Sequence, residues 1–178
     1  LPSAFIYDTL SDPSGQNLWA ATRAGLTVSL DDGHTWRTLR HIYLKAPQKL
    51  YSDASGGLWA IGSAQAIHIQ DNRVFDRTPP DVQAYDIWLQ APLQETLQAG
   101  SVWLGTNRGL YFSQDEGQSW QVQPLPNQIK EQGIRVVSGY GTRVWVGTQN
   151  GFVARLQDNR NWLIVNDFQA DPIYDLWA

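Results

Sequence analysis

Four tryptophans recur along the chain at nearly constant intervals. Trp19, Trp59, Trp103 and Trp145 are 40, 44 and 42 residues apart, and each follows Leu or Val in a short apolar run. Self-similarity at a period of about 40 residues is typical of repeat architectures, in which each repeat buries its apolar face by stacking on its neighbours. The 178 residues have room for four such repeats.

The apolar runs within each repeat are short and are separated by turn-forming residues. "SVWLGT" at Ser101 and "RVWVGT" at Arg143 are typical of strands bounded by Gly, Asn, Asp and Pro. One segment, Ala91–Gly100, has proline near its start and glycine at its end, which predicts either a short helix or an extended loop. Small antiparallel sheets of this kind bury both faces when they stack radially as the blades of a β-propeller.

We therefore predict an all-β chain in which residues 1–178 form a single β-propeller. The blades cover residues 1–39, 40–80, 81–126 and 127–172, and residues 173–178 begin the first strand of a fifth. The recurring tryptophans are expected to fill the space between blades, because an indole buries a large apolar area with few rotatable bonds.

Two segments combine acids, hydroxyls and an indole, which is compatible with either chemistry or a turn. "SLDDGHTW" runs from Ser29 to Trp36, and "SQDEGQSW" follows 84 residues later, from Ser113 to Trp120. A single catalytic site has no need of two copies. Adjacent acids on a strand also point to opposite faces, so neither copy is a natural pair of glycosidase carboxylates.

The other two repeats favour the turn. Gln70 and Gln157 replace the first acid, whereas Asn72 and Asn159 replace the glycine. Glycine and asparagine are the residues best able to adopt a left-handed backbone, so the exchange preserves turn geometry and abandons acid–base chemistry. The residues predicted to have this structural role are Ser29, Asp31, Gly33, Trp36, Ser113, Asp115, Gly117 and Trp120.

These segments resemble the Asp-box, or bacterial neuraminidase repeat, S-x-D-x-G-x-T/S-W. In its families this motif lies at a hairpin turn of propeller blades, away from the active site. "DPSGQNLWAAT" at Asp12 and "DASGGLWAIG" at Asp53 are also similar to the two-component-regulator propeller repeat, D-x-x-G-x-L-W. The second resemblance implies an extracytoplasmic sensor domain, periplasmic or secreted.

The repeats alternate in type. The first and third carry the complete box, and "IYDTL" at Ile6, "AYDIW" at Ala84 and "IYDLW" at Ile173 begin the first, the third and a nascent fifth. This alternation indicates a duplicated two-blade module of about 85 residues. The extra strand leaves three alternatives: a fragment of a ring of six to eight blades, a ring completed by a second copy of the chain, or four blades with a spare strand. The first two are favoured because sheet edges are normally paired or covered.

Composition and motifs argue against several classes of function. A formal charge of −4 and a pI near 5.2 give no reason to expect nucleic acid. The chain has no apolar run long enough to cross a membrane, so we expect no membrane contact by this segment. His34, His41 and His68 lack metal-ligand spacing and are expected to be exposed or in turns, and no phosphate-binding loop is present. We predict no catalytic residue, no metal and no cofactor.

Binding residues are predicted at two kinds of position. Aromatic residues at matched places in the third and fifth repeats could line a channel mouth and stack on a sugar, or else pack between blades. Polar residues after the W-x-x-T segment could contact a ligand, or else be ordinary solvated loop residues, and the insertion Gln90–Gly100 could contact a partner. The candidates are Tyr85, Trp88, Tyr174, Trp177, Arg23, Asn107 and Arg108.

The function expected from these features is a non-catalytic extracytoplasmic binding propeller, the input domain of a two-component-type sensor. Its ligand is either a small molecule such as a saccharide or a protein partner. Two alternatives are a fragment of a secreted glycan-processing enzyme whose catalytic acids lie in other blades, and an assembly scaffold that resembles photosystem assembly factors.

Overall fold

The computed structural model describes residues 3–12, 15, 17–39, 46–62, 64–71, 73–91, 100–158, 161–168 and 171–176. Within these ranges the secondary structure consists of sixteen β-strands. No helix in the described part of the chain has the length and apolar character needed to cross a membrane. Most of the insertion predicted as a short helix or loop, residues 92–99, lies outside the described residues.

The strands form four antiparallel sheets of four strands each, and every sheet follows chain order. Sheet 1 contains β1 Ile6–Ser11, β2 Leu18–Thr22, β3 Gly25–Ser29 and β4 Arg37–Thr38; sheet 2 contains β5 Pro47–Ser52, β6 Leu58–Gly62, β7 Gln65–Gln70 and β8 Arg73–Asp76; sheet 3 contains β9 Ala84–Gln90, β10 Ser101–Thr106, β11 Gly109–Ser113 and β12 Gln121–Val122; sheet 4 contains β13 Ile134–Tyr140, β14 Arg143–Thr148, β15 Phe152–Asp158 and β16 Asn161–Asp167.

The predicted all-β class is confirmed, and each sheet falls inside one predicted blade. The chain divides into two compact units, unit 1 from Leu1 to Thr78 and unit 2 from Pro79 to Ala178, with two sheets in each. That division has the size of the predicted two-blade module. A single closed ring over residues 1–178 stays a prediction.

Each unit has its own apolar core between its two sheets. In unit 1 the core includes Leu26, Leu50 and Ile67, and in unit 2 it includes Leu110 and Val137. The repeated tryptophans lie on the second strand of each sheet; Trp59 and Trp103 are buried, and Trp19 and Trp145 are half-buried. Of the four, Trp103 lies in the core of unit 2, and Trp19 packs against the core of unit 1. Burial of such large apolar side chains favours packing.

A buried threonine explains the repeated W-x-x-T-x-x-G pattern. Thr22 Oγ1 donates a hydrogen bond to the carbonyl of Gly25 (2.8 Å) and accepts one from the N–H of Ala24 (3.2 Å). Thr106 bonds Gly109 in the same way. Both glycines have positive φ, 118° and 109°, which closes a tight turn between the second and third strands.

A carboxylate joins the two first strands within each unit. Asp8 Oδ2 accepts the backbone N–H of Leu50 (2.8 Å), and Asp86 Oδ2 accepts that of Val137 (2.9 Å). Asp8 pairs with Ala21 and Asp86 pairs with Gly105, and each partner lies two residues after the tryptophan of its sheet. The alternating Tyr-Asp signature therefore marks the first blade of each pair, whose aspartate fastens the second.

Residues 171–176 follow β16 without sheet pairing in the described chain. Ile173 donates its N–H to the carbonyl of Thr148 (3.1 Å), and its side chain fills the hollow above Gly147. Ile134 occupies the matching hollow above Gly105 in the preceding sheet. Ile173 thus packs as the start of a first strand packs.

Candidate functional site

A β-bulge recurs at the start of every first strand. The pairing register skips one residue in each of β1, β5, β9 and β13, and the residues passed over are Tyr7, Gln48, Tyr85 and Arg135. A bulge leaves its extra residue outside the ladder and redirects its side chain, which is why bulges are frequent beside binding sites. We call these four positions the bulge row, and its two members in unit 2, Tyr85 and Arg135, form the candidate site.

The two members of the bulge row in unit 2 stack on each other. The guanidinium carbon of Arg135 lies 4.1 Å from the centroid of the Tyr85 ring, well within range of a cation–π interaction. Both side chains are half-buried. Stacking occupies the face of the guanidinium, and its Nε is buried without a hydrogen-bond partner.

Polar groups surround this stack. Gln83 donates its N–H to Asn107 Oδ1 (2.7 Å) and accepts the N–H of Asn107 (3.0 Å), so the predicted site residue Asn107 is held in place. Gly133 lies between them: a Cβ there would be 3.4 Å from Tyr85 Cε2 and 3.2 Å from Gln149 Oε1. The absence of a side chain at Gly133 lets its backbone pack closely against the Tyr85 ring.

The corresponding end of unit 1 is more exposed. Tyr7 is 49% exposed, and the predicted site residue Arg23 is exposed, with its guanidinium 5.5 Å from the centroid of the Phe5 ring. Its backbone N–H bonds the carbonyl of Phe5, as the N–H of Asn107 bonds that of Gln83. Only this backbone bond is repeated in unit 1, because Gln48 stands at the bulge where unit 2 has Arg135.

The other predicted binding residues are placed differently. Trp88 lies against Gly139, where a Cβ would be 2.7 Å from the indole, and it packs on the apolar core of unit 2. Arg108 and Tyr174 are exposed, Tyr174 to 71%. Trp177 lies outside the described residues. A ligand role for these four stays a prediction, and the contacts of Trp88 match the packing alternative.

Asp31 is fully engaged within its own turn. Its Oδ1 accepts the hydroxyl of Ser29 (2.8 Å) and the N–H of Thr35 (2.7 Å), and its Oδ2 accepts the hydroxyl of Thr35 (2.6 Å). Trp36 Nε1 donates to the carbonyl of Gly33 (3.0 Å) and pins the turn. The hydrogen bonds from Thr35 and Ser29 lower the pKa of Asp31 to about 2.

Asp115 repeats this geometry in sheet 3. It accepts the hydroxyl of Ser113 (2.7 Å) and both the N–H (2.9 Å) and the hydroxyl (2.5 Å) of Ser119, and these bonds lower its pKa to about 2. Gly33 and Gly117 have positive φ, as expected for turn glycines. The acid before each glycine also has a positive φ of 55°, which the sequence pattern did not indicate. Asn72 and Asn159 lie outside the described residues.

A buried histidine–aspartate pair was not predicted. His68 is fully buried, so the expectation of an exposed or turn histidine is wrong for it. Its Nε2 lies 2.8 Å from Asp53 Oδ2, and its ring stacks on Trp59 with centroids 4.5 Å apart. Burial raises the pKa of Asp53, but the hydrogen bonds from His68, Ser55 and Gly57 outweigh it and hold that pKa well below its ordinary range.

The pair has a structural explanation. Asp53 opens the D-x-x-G turn before β6, and Gly57 has no side chain to separate it from His68. In sheet 1, Asn17 takes the place of Gly57 directly before the second strand, and its side-chain amide donates a hydrogen bond to Asp12 Oδ2 (2.6 Å). His34 Nδ1 donates a hydrogen bond to the carbonyl of Asp31 (2.7 Å), and His41 lies outside the described residues. Among the described residues, no group of three or more histidines and acids is placed to hold a metal ion.

Comparison with known proteins adds evidence on the fold. No protein-family model matches the sequence, and no curated protein matches it. Solved structures do match. An ancestral GH74 enzyme has a TM-score of 0.71 at 14% identity over 97% of this chain and 27% of its own. The extracellular domain of the BT4673 one component system from B. thetaiotaomicron has a TM-score of 0.70 at 15% identity, over 93% of this chain and 22% of its own.

YCF48 bound to D1 peptide matches with a TM-score of 0.61 at 18% identity, over 85% of this chain. This chain spans about half the length of the YCF48 structures, 51% and 55%. These neighbours are β-propeller proteins, and they include enzymes as well as proteins that are not enzymes. The four antiparallel sheets of this chain are accordingly the blades of a β-propeller fold.

Proposed function

We propose that this chain is a non-catalytic binding module and the extracytoplasmic input domain of a sensor. The observation that carries this proposal is which polar side chains are already hydrogen-bonded within the fold and which are not. Asp31 and Asp115 bond through both carboxylate oxygens within their own turns, and Asp53 bonds its own turn and His68. Arg135, which lies on a bulge and stacks on Tyr85, has no hydrogen-bond acceptor for its guanidinium among the described residues. A rigid sheet that presents redirected side chains favours recognition.

Acid–base catalysis would use these carboxylates differently. A general acid in a glycosidase needs a raised pKa and a partner carboxylate across the substrate. Asp31 and Asp115 instead have a pKa of about 2, and each is held by three hydrogen bonds from its own turn. They are therefore suited to fastening a hairpin.

Ligand binding without turnover is the test. The chain would be screened by thermal unfolding against neutral and acidic oligosaccharides and short peptides, and each hit would be incubated and examined for products. A ligand at 100 times its Kd stabilises by about 2.7 kcal/mol, which raises Tm by roughly 5–10 °C for a chain of this size. Tyr85→Ala should abolish that rise. Tyr140→Ala should not, because Tyr140 is an exposed tyrosine at the far end of β13. Product formation by the unmodified chain would contradict the proposal.

The sensor assignment is supported by the likeness to the BT4673 extracellular domain. It predicts that the full-length gene also encodes a membrane-spanning segment and a signalling output domain. A full-length gene that encodes a glycan-cleaving activity instead would favour the enzyme alternative.

A second candidate function is an assembly scaffold. It is favoured by the match to YCF48, which was solved bound to D1 peptide. A scaffold would retain a protein partner in affinity capture and would show no small ligand in the thermal screen.

A further inference from the structure

Arg135 combines a place on a first-strand bulge with a guanidinium that lacks a hydrogen-bond acceptor among the described residues. No other described residue accepts a hydrogen bond from its guanidinium, and its Nε is buried without a partner. A buried donor without an acceptor costs free energy, because the water it loses is not replaced. The interaction with the Tyr85 ring offsets part of that cost but takes only the face of the guanidinium.

The groups beside the stack are neutral. Gly133 packs against the Tyr85 ring and lies close to both Gln149 and Asn107. Within the described residues, no hydrogen bond or ion pair joins a carboxylate to Tyr85 or Arg135. The loop Gln128–Gln132 passes over the neighbouring β10–β11 turn at Gly109 and carries both a cation and an acid, Lys130 and Glu131. Among the described residues, no carboxylate therefore neutralises the cationic edge of Arg135.

We propose that Arg135, stacked on Tyr85, is the binding site for a carboxylate group of the ligand. The planar edge of a guanidinium matches the two oxygens of a carboxylate, and such bidentate pairs are among the strongest and most directional hydrogen bonds. Stacking on Tyr85 fixes the plane in advance, so less side-chain freedom is lost on binding. This inference rests on the proposed binding function and names the chemistry of its ligand.

Nuclear magnetic resonance of the arginine side chains tests it directly. The Nε–Hε signals of the ¹⁵N-labelled chain would be followed during titration with D-glucuronate and with its neutral methyl ester, and with acetyl-Ala-Ala-Ala and its C-terminal amide. The two pairs distinguish a sugar acid from a peptide carboxyl terminus. A saturable shift of the Arg135 signal with at least one carboxylate, and with neither neutral counterpart, is expected.

Variants provide the control. Arg135→Gln should weaken binding of the carboxylate probe by about tenfold or more. Arg135→Lys should also weaken it, because lysine keeps the charge but cannot donate two parallel hydrogen bonds to a carboxylate. Arg155→Gln should change the affinity less than twofold. Arg155 is the matched control because it also stacks on an aromatic ring, that of Trp145, and also has a buried Nε without a partner. It differs in lying on the third strand of its sheet.

The outcomes separate this inference from the proposed function. Equal shifts with charged and neutral probes, equal responses of Arg135 and Arg155, or no response of Arg135 to any carboxylate would each overturn the carboxylate site. Binding of a neutral ligand at Tyr85 would support the binding function and contradict the carboxylate site. Cleavage of a bound carboxylate ligand would instead remove the non-catalytic function and keep the site.

Discussion

Asp86 offers the sharpest test of how the first strands of unit 2 are fastened. Its carboxylate is 1% exposed and accepts the N–H of Val137, which is itself 4% exposed. Asp86→Ala removes a charge-assisted hydrogen bond and leaves a buried backbone donor without an acceptor. A lost bond of this kind costs about 2–3 kcal/mol, a substantial fraction of the stability of an ordinary domain.

Two substitutions grade the effect. Asp86→Asn keeps an acceptor oxygen but removes the charge, so we expect a loss of about 1 kcal/mol. Asp8→Ala deletes the matching bond to Leu50 in unit 1, where the aspartate is only half-buried, and should cost about 1 kcal/mol. Gln121→Ala, on the exposed strand β12, should stay within about 0.5 kcal/mol of the unmodified chain.

Urea unfolding at pH 7, followed by tryptophan fluorescence, measures these differences. The urea midpoint should be lowest for Asp86→Ala, higher for Asp86→Asn and highest for the unmodified chain. The m value should be unchanged if the native state keeps its compactness. An Asp86→Ala midpoint equal to that of Gln121→Ala would refute the fastening role of the carboxylate.

Three further predictions follow from the turns and close contacts. The pKa of Asp31 and of Asp115 is lowered from 3.8 to about 2, so the contribution of each to stability is complete above pH 4 and is lost as the pH falls towards 2. Asp115→Asn should therefore make stability less dependent on pH in this range, which thermal unfolding at a series of pH values measures. Gly57→Ala places a Cβ 2.5 Å from His68 Nε2 and should lower the free energy of unfolding, measured in urea, by about 1–3 kcal/mol. In the control Gly56→Ala the added Cβ meets nothing within 4 Å, so only the positive φ should lower it, by roughly 1 kcal/mol. Equal decreases in the two variants would argue against the close contact. Gly139→Ala places a Cβ 2.7 Å from the Trp88 indole and should shift Trp88 fluorescence towards that of a solvated indole, while Gly141→Ala leaves the spectrum unchanged.

The repeat period determined the fold. Because four tryptophans recur about 40 residues apart between short apolar runs, the sequence predicts several small sheets, and the structure has four antiparallel sheets of four strands. The turn role of Asp31 and Asp115 was also readable, since the other repeats replace the acid by glutamine and the glycine by asparagine. Local patterns of this kind constrain hydrogen bonds between residues that are close in sequence.

Tertiary structure decided everything that joins distant parts of the chain. Asp86 bonds Val137 across 51 positions, and His68 reaches Asp53 only because Gly57 leaves room for the imidazole. The pairing of Arg135 with Tyr85 depends on two bulges that place one residue of each first strand outside its ladder. Sequence alone fixed the two-residue alternation along each strand, but a bulge interrupts that alternation, and its position depends on how neighbouring strands pair and pack.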